Sequence, residues 1–202
     1  MTSRRAEPRF FLSETDPPSK QGALEAALRL FVRHGIAGTN VRMIAKEAGY
    51  TNPAMFKFFD SKDGLALYLF ERCYGRLHGR IEAAAARRPF GEALGAVVDA
   101  FLAAMDEDLE AVLFVQDSLR ELWPRLPARA RRRSVIRVLR ELFERGRREG
   151  AVAGYRSSDV PVAALVGLVA QLGRMLYFGE VVGPASAHRR ELALAVARML
   201  GS

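Results

Sequence analysis

The residues best able to do chemistry in this sequence are its histidines, its single cysteine, its carboxylates and its basic side chains. His34, His78 and His188 lie far apart, and none falls in an HExxH-type spacing that would place two metal ligands on one helix. Cys73 is alone, so it forms neither an internal disulfide nor a cysteine-based metal cluster, and its apolar helical surroundings favour a buried side chain. We therefore expect no metal, no cofactor and no enzymatic activity.

The carboxylates and glycines also predict no catalytic site. The acidic residues between Asp106 and Glu110 cluster at a predicted helix start, where they compensate the helix dipole, and the glycines form no phosphate-binding loop. The charge of the chain is more informative. Its 202 residues carry a formal net charge of +8, with a pI of about 10.2, which makes contact with a polyanion plausible. The excess is spread along the chain, so it does not locate a site by itself.

A polar and basic stretch in the first third of the chain has a spacing that suits DNA contact. Two short predicted helices, residues 41–48 and 52–58, are joined by Ala48-Gly49-Tyr50-Thr51, which is the form of a helix-turn-helix. Asn40 and Thr51 suit the N-caps of these helices, and Gly49 suits the sharp turn between them. The outer face of the second helix is then free to enter the major groove of DNA. Taken alone, the same pattern also fits two turns of an ordinary helical bundle.

The elements around this stretch are helical as well. Residues 19–34 carry apolar side chains at the spacing of one buried helix face, and Asp60 and Ser61 suit the N-terminus of a long helix that reaches residue 86 or 87, before Pro89. Further helices are predicted at residues 90–105, 108–122, 127–148, 158–178 and 185–200. The prediction is an all-α fold of about nine helices, with three in a small N-terminal helix-turn-helix bundle and the rest in a larger C-terminal domain.

The segment from Ala23 to Phe70 resembles the N-terminal domain of the TetR family of bacterial transcriptional regulators. The matching features follow one another at the family's spacing: Phe31 and Gly35 at the end of the first helix, Thr39, Ile44-Ala45, Ala48-Gly49, Thr51, an aromatic run ending at Phe59, and Ser61-Lys62. The resemblance implies three regions, a flexible arm at 1–18, a DNA-binding domain at 19–65 with its motif at about 40–59, and a helical ligand-binding and dimerisation domain at 66–202.

The resemblance also implies which residues contact double-stranded DNA. These residues are Arg42, Thr51, Asn52, Pro53, Ala54, Phe56, Lys57, Phe58 and Lys62. Phe56 departs from the family, which generally has Tyr there, and without the hydroxyl it is expected to make an apolar contact. The basic members of the set would also suit a solvated surface. The run of arginines at 129–133 is interpreted as a solvated helix face.

In the larger domain, the resemblance implies a pocket for a small, mostly apolar effector. The bulky candidates for its lining are Phe101, Met105, Phe114, Trp123, Phe143, Met175 and Tyr177. Each of these side chains would suit a plain core equally well. Polar anchors for the effector are expected among Gln116, Arg120, Gln171 and Arg174.

The last two predicted helices have wide apolar faces, and the resemblance implies that they form a four-helix interface with the same pair in a second subunit. The expected interface residues are Leu165, Val169, Leu172, Leu192 and Val196. Such a homodimer would hold two recognition helices one helical repeat of DNA apart on a near-palindromic operator.

The function predicted for the chain is therefore a sequence-specific DNA-binding regulator, a repressor that a small apolar effector releases from its operator. The alternative is a helical ligand-binding or scaffold protein whose N-terminal bundle does not read specific DNA. The N-terminus lacks the apolar core of a signal peptide, and the apolar run at 160–173 is too short to span a bilayer and is followed by Arg174. We expect a cytoplasmic protein without a membrane segment.

Overall fold

The computed structural model describes residues 11–13, 15–49, 58–86, 88–152 and 154–200, and within these ranges every regular element is helical. The principal helices are α1 (Pro18–His34), α2 (Val41–Ala48), α3 (Lys62–Ala85), α4 (Phe90–Leu122), α5 (Val135–Arg148), α6 (Asp159–Tyr177) and α7 (Arg189–Met199). Short helical turns at Trp123–Arg125, Ala128–Arg131 and Ala185–His188 lie between the later helices. The prediction of an all-α fold is confirmed.

The caps expected from the sequence begin and end the first helices. The Asn40 side chain accepts a hydrogen bond from the Met43 N–H at 3.0 Å, and the Ser61 hydroxyl accepts one from the Gly64 N–H at 3.0 Å. These bonds satisfy amide groups that have no partner inside the helix. Gly49 ends α2 in the left-handed conformation, with a φ of 73° that glycine adopts without strain.

The count of about nine helices differs from the structure in three places. The break expected at Asp106 is instead a kink inside α4, where Asp108 has a φ of −157° and accepts a hydrogen bond from the Ala111 N–H at 3.1 Å. The segment predicted as one helix at 127–148 is interrupted between Arg131 and Val135. The helix expected at 52–58 lies outside the described residues, apart from Phe58, which lies in a turn.

The two predicted domains share one continuous hydrophobic core. Phe31 on α1 stacks on Phe114 on α4, with ring centroids 5.7 Å apart, and Phe70 on α3 meets Phe114 edge-on at 6.4 Å. All three rings are buried. Cys73 is fully buried in the same core, as expected from its apolar surroundings. The aromatic contact joins the N-terminal bundle directly to the long helices that follow.

Some residues of the segment 1–18, which was expected to form a flexible arm, pack against this core, whereas Thr15 and Pro17 are exposed. Phe11 and Leu12 are buried, and a guanidinium nitrogen of Arg76 on α3 lies 3.5 Å from the Leu12 carbonyl oxygen. The Asp16 carboxylate is buried as well. This part of the chain therefore covers α1 and α3.

Helix α6 extends beyond the apolar run at 160–173. Its 19 residues, Asp159–Tyr177, make it the one helix among the described residues that is long and apolar enough, by length and composition alone, to cross a membrane. The core helix of a soluble protein passes the same test, so a single such helix is a weak indication. One side of α6 packs on α4 and α5 through Leu165 and Val169, whereas Leu168 on its other side is 38% exposed.

Candidate nucleic-acid interface

Helix α2 presents a basic outer face because its apolar residues are used for packing. Ile44 and Ala45 are buried against α1, whereas Arg42 and Lys46 are exposed on the opposite side. Four-residue spacing puts Arg42 and Lys46 on one face of the helix. An exposed pair of cations at this position is suited to meet the phosphate backbone of DNA.

The connection between α1 and α2 is held by a buried hydroxyl. The Thr39 side chain is 2% exposed, and its oxygen lies 2.8 Å from the Gly35 carbonyl oxygen and 3.2 Å from that of Leu30. A Cβ atom on Gly38 would collide with the carbonyl oxygen of His34, so only glycine fits there without a backbone shift. These contacts fix the angle at which α2 leaves α1, and hence the direction of its basic face.

Lys62 has a role that its sequence position did not indicate. Its Nζ donates hydrogen bonds to the carbonyl oxygens of Ile36 at 2.7 Å and Thr39 at 2.9 Å, which belong to the same connection. The first residue of α3 therefore ties α3 to the start of α2. Two of the three N–H groups of this ammonium are occupied, and the third is left for any phosphate contact.

We expect Lys62→Met to lower the free energy of unfolding by about 1–2 kcal/mol, because the two carbonyl groups lose a charged donor. Lys46→Met is the matched control, since it removes the same charge from an exposed residue of α2. Urea unfolding of both variants gives the comparison, and equal stability would contradict the positioning role. The salt dependence of DNA binding then separates the two roles, because losing a phosphate contact lowers the slope by roughly one.

A charged cluster stabilises the N-terminal bundle where the start of α1 meets α3. The buried Asp16 carboxylate pairs with Lys20 at 3.0 Å and with Arg72 on α3 at 2.8 Å, and both cations also donate to the Tyr68 hydroxyl at 2.7 Å. Burial alone would raise the pKa of Asp16, but the hydrogen bond from Lys20 and the charge of Arg72 outweigh it, so the pKa lies below its ordinary value. The cluster stays ionised and joins α1 to α3.

Only three of the residues expected to contact DNA are among the described residues. Arg42 is exposed on α2, Phe58 is half-buried, and Lys62 is bonded to the α1–α2 connection. The remaining residues of the set lie outside the described part of the chain: Thr51, Asn52, Pro53, Ala54, Phe56 and Lys57. Their contacts with DNA stay predictions.

The side chains expected to line an effector pocket are not brought together. Phe101, Met105, Phe114 and Phe143 are buried in the core, where they pack against protein side chains. Met175 lies in a groove between α6 and α7, and Tyr177 contacts Phe178 at the end of α6, with ring centroids 5.3 Å apart. Trp123 lines an open cleft, beside Tyr74 at a centroid distance of 4.8 Å.

The residues expected at the dimer interface differ in their exposure on the protomer. Leu165, Val169, Leu192 and Val196 are buried in the protomer, although Leu192 also lines the groove between α6 and α7. Leu172 is half-buried and lines the α6–α7 groove together with Gly167, Leu168, Gln171 and Met175. This groove, of about 630 Å³, is apolar and open. Which of these residues meet a second subunit stays a prediction.

The polar residues expected to anchor an effector fall into two regions. Gln116 and Arg120 line the cleft beside Trp123, whereas Gln171 lines the α6–α7 groove. Arg174 is paired with Asp117 on α4 at 2.8 Å. Among the described residues, no group of three or more histidine, cysteine or acidic side chains is arranged to hold a metal ion.

Comparisons with known proteins agree with this geometry. A sequence model described as "Bacterial regulatory proteins, tetR family" matches residues 23–69, which include α1, α2 and the start of α3. A search of curated proteins found no match.

Solved structures share the fold over most of the chain. The MbdR regulator from Azoarcus sp. CIB has a TM-score of 0.75 at 19% identity, with 89% of this chain and 97% of that chain covered. PfmR, a TetR family transcriptional regulator from Thermus thermophilus, has a TM-score of 0.72 at 20% identity, with coverage of 87% and 97%. The fatty acid degradation regulator FadR from Bacillus halodurans has a TM-score of 0.68 at 16% identity, with coverage of 92% and 97%.

The structural likenesses, at these identities, establish the fold, and the sequence match assigns the N-terminal segment. Residues 23–69 thus match the TetR family of bacterial regulatory proteins in sequence, and the chain as a whole has the fold of solved TetR-type regulators.

Proposed function

We propose that this protein is a sequence-specific DNA-binding transcriptional regulator. The observation that carries the proposal is the exposed basic face of α2, which is oriented by buried contacts and lies inside the segment that matches the family. Helix α2 ends in a left-handed glycine, the conformation needed for the sharp turn of a helix-turn-helix. In this arrangement α2 crosses the DNA backbone, and the residues after Gly49 enter the major groove.

The regulator acts as a homodimer, and the outer face of α6 and α7 forms the interface. Leu168 is 38% exposed and lies in the groove with Leu172 and Met175, where water is excluded only if a second copy covers it. Helix α6 is apolar but is buried on one side only, which is expected of a helix at a dimer interface rather than of a helix inside the core. Twofold symmetry of the dimer matches a near-palindromic operator.

The protein represses transcription until a small molecule binds its larger domain. The transcriptional regulator FadR from Bacillus subtilis has been solved in complex with stearoyl-CoA, and this chain has the same fold at a TM-score of 0.65 and 14% identity. A ligand that binds more tightly to a state with a different separation of the two α2 helices weakens operator binding by that difference in affinity. We further propose that the protein is cytoplasmic and has no catalytic activity. The competing function is a helical ligand-binding scaffold that does not read DNA.

Selection from a randomised double-stranded DNA library tests the proposed function. The full-length protein is expected to enrich a near-palindromic sequence whose half-sites are about one helical turn apart. A scaffold protein would enrich no sequence, and its weak binding would vanish with added salt. That outcome would favour the competing function.

Variants measured on the enriched operator then distinguish residues that recognise bases from residues that contact the DNA backbone. Asn52→Ala is expected to relax discrimination at particular base pairs at a cost of about 1–3 kcal/mol. Arg42→Ala is expected to weaken binding to all sequences alike and to lower the salt slope by roughly one. Gel-shift titrations of both variants over a set of single base-pair changes provide the measurement. Uniform loss of affinity in both variants would show that the recognition residues are assigned incorrectly.

A further inference from the structure

A cleft between α3, α4 and α5, separate from the α6–α7 groove, opens to solvent. Its volume is about 520 Å³, within the range of small-molecule sites. The residues that define it are Tyr74, Gln116, Leu119, Arg120, Trp123 and Ile136. Two of the three helices that form its walls, α3 and α4, also pack against the N-terminal bundle, so an occupant of the cleft contacts elements that position the DNA-binding residues.

The walls of the cleft are apolar and aromatic. The rings of Tyr74 and Trp123 lie 4.8 Å apart at an angle of 59°, and together they form one wall. Leu119 is 40% exposed and Ile136 is 37% exposed, although both are large apolar side chains. Exposed leucine and isoleucine beside an aromatic pair provide a surface for the apolar body of a ligand.

The cleft also contains a polar group without a partner. The side-chain oxygen of Gln116 is buried, and no donor among the described residues bonds to it. A buried amide oxygen without a hydrogen bond costs free energy, so such groups in native proteins call for a ligand or water. The Tyr74 hydroxyl accepts a hydrogen bond from the Val135 N–H at 3.0 Å and makes no hydrogen bond to the Gln116 oxygen.

The one charged side chain among the residues that line the cleft, Arg120, is positive. Arg120 forms no ion pair among the described residues, because the neighbouring Asp117 is taken by Arg174. An apolar cleft under one sign of charge attracts the opposite charge and raises its local concentration.

We propose that this cleft binds the effector and that the effector is a small organic anion with an apolar body. The proposal rests on the proposed function and assigns its effector site. The apolar body packs against Tyr74 and Trp123, and the anionic group meets Arg120 at the opening. The Gln116 side-chain amide forms a hydrogen bond with a polar atom of the ligand that lies between its apolar body and its anionic group. This site differs from the scattered aromatic set expected from the sequence, with which it shares only Trp123.

Binding at this cleft has a short route to the DNA-binding domain. Arg125, in the turn after Trp123, pairs with Asp63 at 3.4 Å, and Asp63 is next to Lys62, which holds the α1–α2 connection. Phe114, two residues before the cleft residue Gln116 on α4, stacks on Phe31 of α1. A shift of the end of α4 or of this turn on ligand binding therefore moves contacts that orient α2.

Three probes with one alkyl chain test the charge preference: octanoate, octanol and octylamine. Trp123 is the only tryptophan in the chain and lines the cleft, so its emission reports binding to the full-length protein without DNA. We expect a saturable change with octanoate at a concentration about fivefold lower than with octanol, and the weakest binding with octylamine. Equal or tighter binding of octanol or octylamine, or no saturable change with octanoate, would overturn the proposal.

Two arginine variants test whether the preference for an anionic ligand arises in the cleft. Arg120→Gln is expected to reduce the octanoate-to-octanol affinity ratio to about one, because the anion loses its charge-assisted partner. Arg129→Gln removes an exposed charge outside the cleft and is expected to leave the ratio within about twofold. If Arg120→Gln keeps the wild-type ratio, or if both variants lose it equally, the anion does not sit at Arg120.

Operator binding is measured separately, so the two proposals fail in distinguishable ways. A protein that binds its operator but shows no anion preference at Trp123 keeps the proposed function and loses this inference. A protein that binds octanoate as described but enriches no DNA sequence keeps a ligand site and loses the proposed function, and with it the effector assignment. When both hold, saturating octanoate is expected to weaken operator binding, and operator DNA to weaken octanoate binding by the same factor.

Discussion

Phe114→Ala is expected to lower the free energy of unfolding by about 3–5 kcal/mol, the largest loss of protomer stability among the substitutions considered. Phe114 is 2% exposed, and its ring contacts both Phe31 on α1 and Phe70 on α3. Removing it leaves a cavity where the N-terminal bundle meets α4, and it also removes two aromatic pair contacts. Urea unfolding followed by circular dichroism measures the loss.

Phe178→Ala is the matched control for this loss, because the Phe178 side chain is 70% exposed at the end of α6. It is expected to change the free energy of unfolding by less than about 0.5 kcal/mol when both variants are compared at one protein concentration. A similar effect of the two substitutions would contradict the assignment of Phe114 to the junction between the domains. Phe114→Leu, which keeps most of the volume, is expected to lie between the wild type and Phe114→Ala.

Helix ends in the N-terminal half were predictable because their signals are local. Asn40, Ser61 and Gly49 act within three or four residues along the chain, so both partners of each contact lie close together in the sequence. The Asp108 kink shows the limit of such signals. An aspartate before a helical turn favours a cap, but whether the chain breaks there or only bends depends on the packing of both halves of α4.

The role of Lys62 depends on a contact that no local pattern contains. Its partners, the carbonyl groups of Ile36 and Thr39, lie more than twenty residues earlier in the chain. A lysine at the start of a helix near a helix-turn-helix is expected to meet phosphate, and the structure adds a positioning role that the residue type alone cannot indicate. Only the fold brings the ammonium group to the α1–α2 connection.

The side chains expected to line an effector pocket are scattered in the fold for a similar reason. Aromatic and methionine side chains serve cores and pockets alike, so composition could not separate Phe143, which is fully buried, from Trp123, which lines a cleft. Helix α6 is apolar nearly all round, and its periodicity does not tell which side faces its own core. Leu165 and Leu168 look equivalent in the sequence, yet the first is fully buried and the second is 38% exposed.

Leu168→Glu is expected to raise the dissociation constant of the proposed dimer by at least about a hundredfold, because burying an unpaired carboxylate in an apolar interface costs several kcal/mol. Twofold symmetry doubles the effect, since one substitution adds two like charges to each interface. Leu168 is exposed on the protomer, so the substitution leaves the core intact, whereas Leu165→Glu would put the charge inside the protomer. Sedimentation velocity at micromolar concentration measures the oligomeric state.

Leu119→Glu is the matched control, because Leu119 is 40% exposed, has the same side chain and lies on α4, where it lines the cleft outside the α6–α7 groove. It is expected to remain a dimer, whereas Leu168→Glu becomes monomeric and loses most of its operator affinity because each monomer holds only one half-site. A wild-type monomer, or a Leu168→Glu variant that dimerises as tightly as the wild type, would contradict this interface. If Leu168→Glu is monomeric but binds the full operator with unchanged affinity, the dimer exists but does not read the palindrome, and DNA recognition then rests on a single α2 and the residues that follow it.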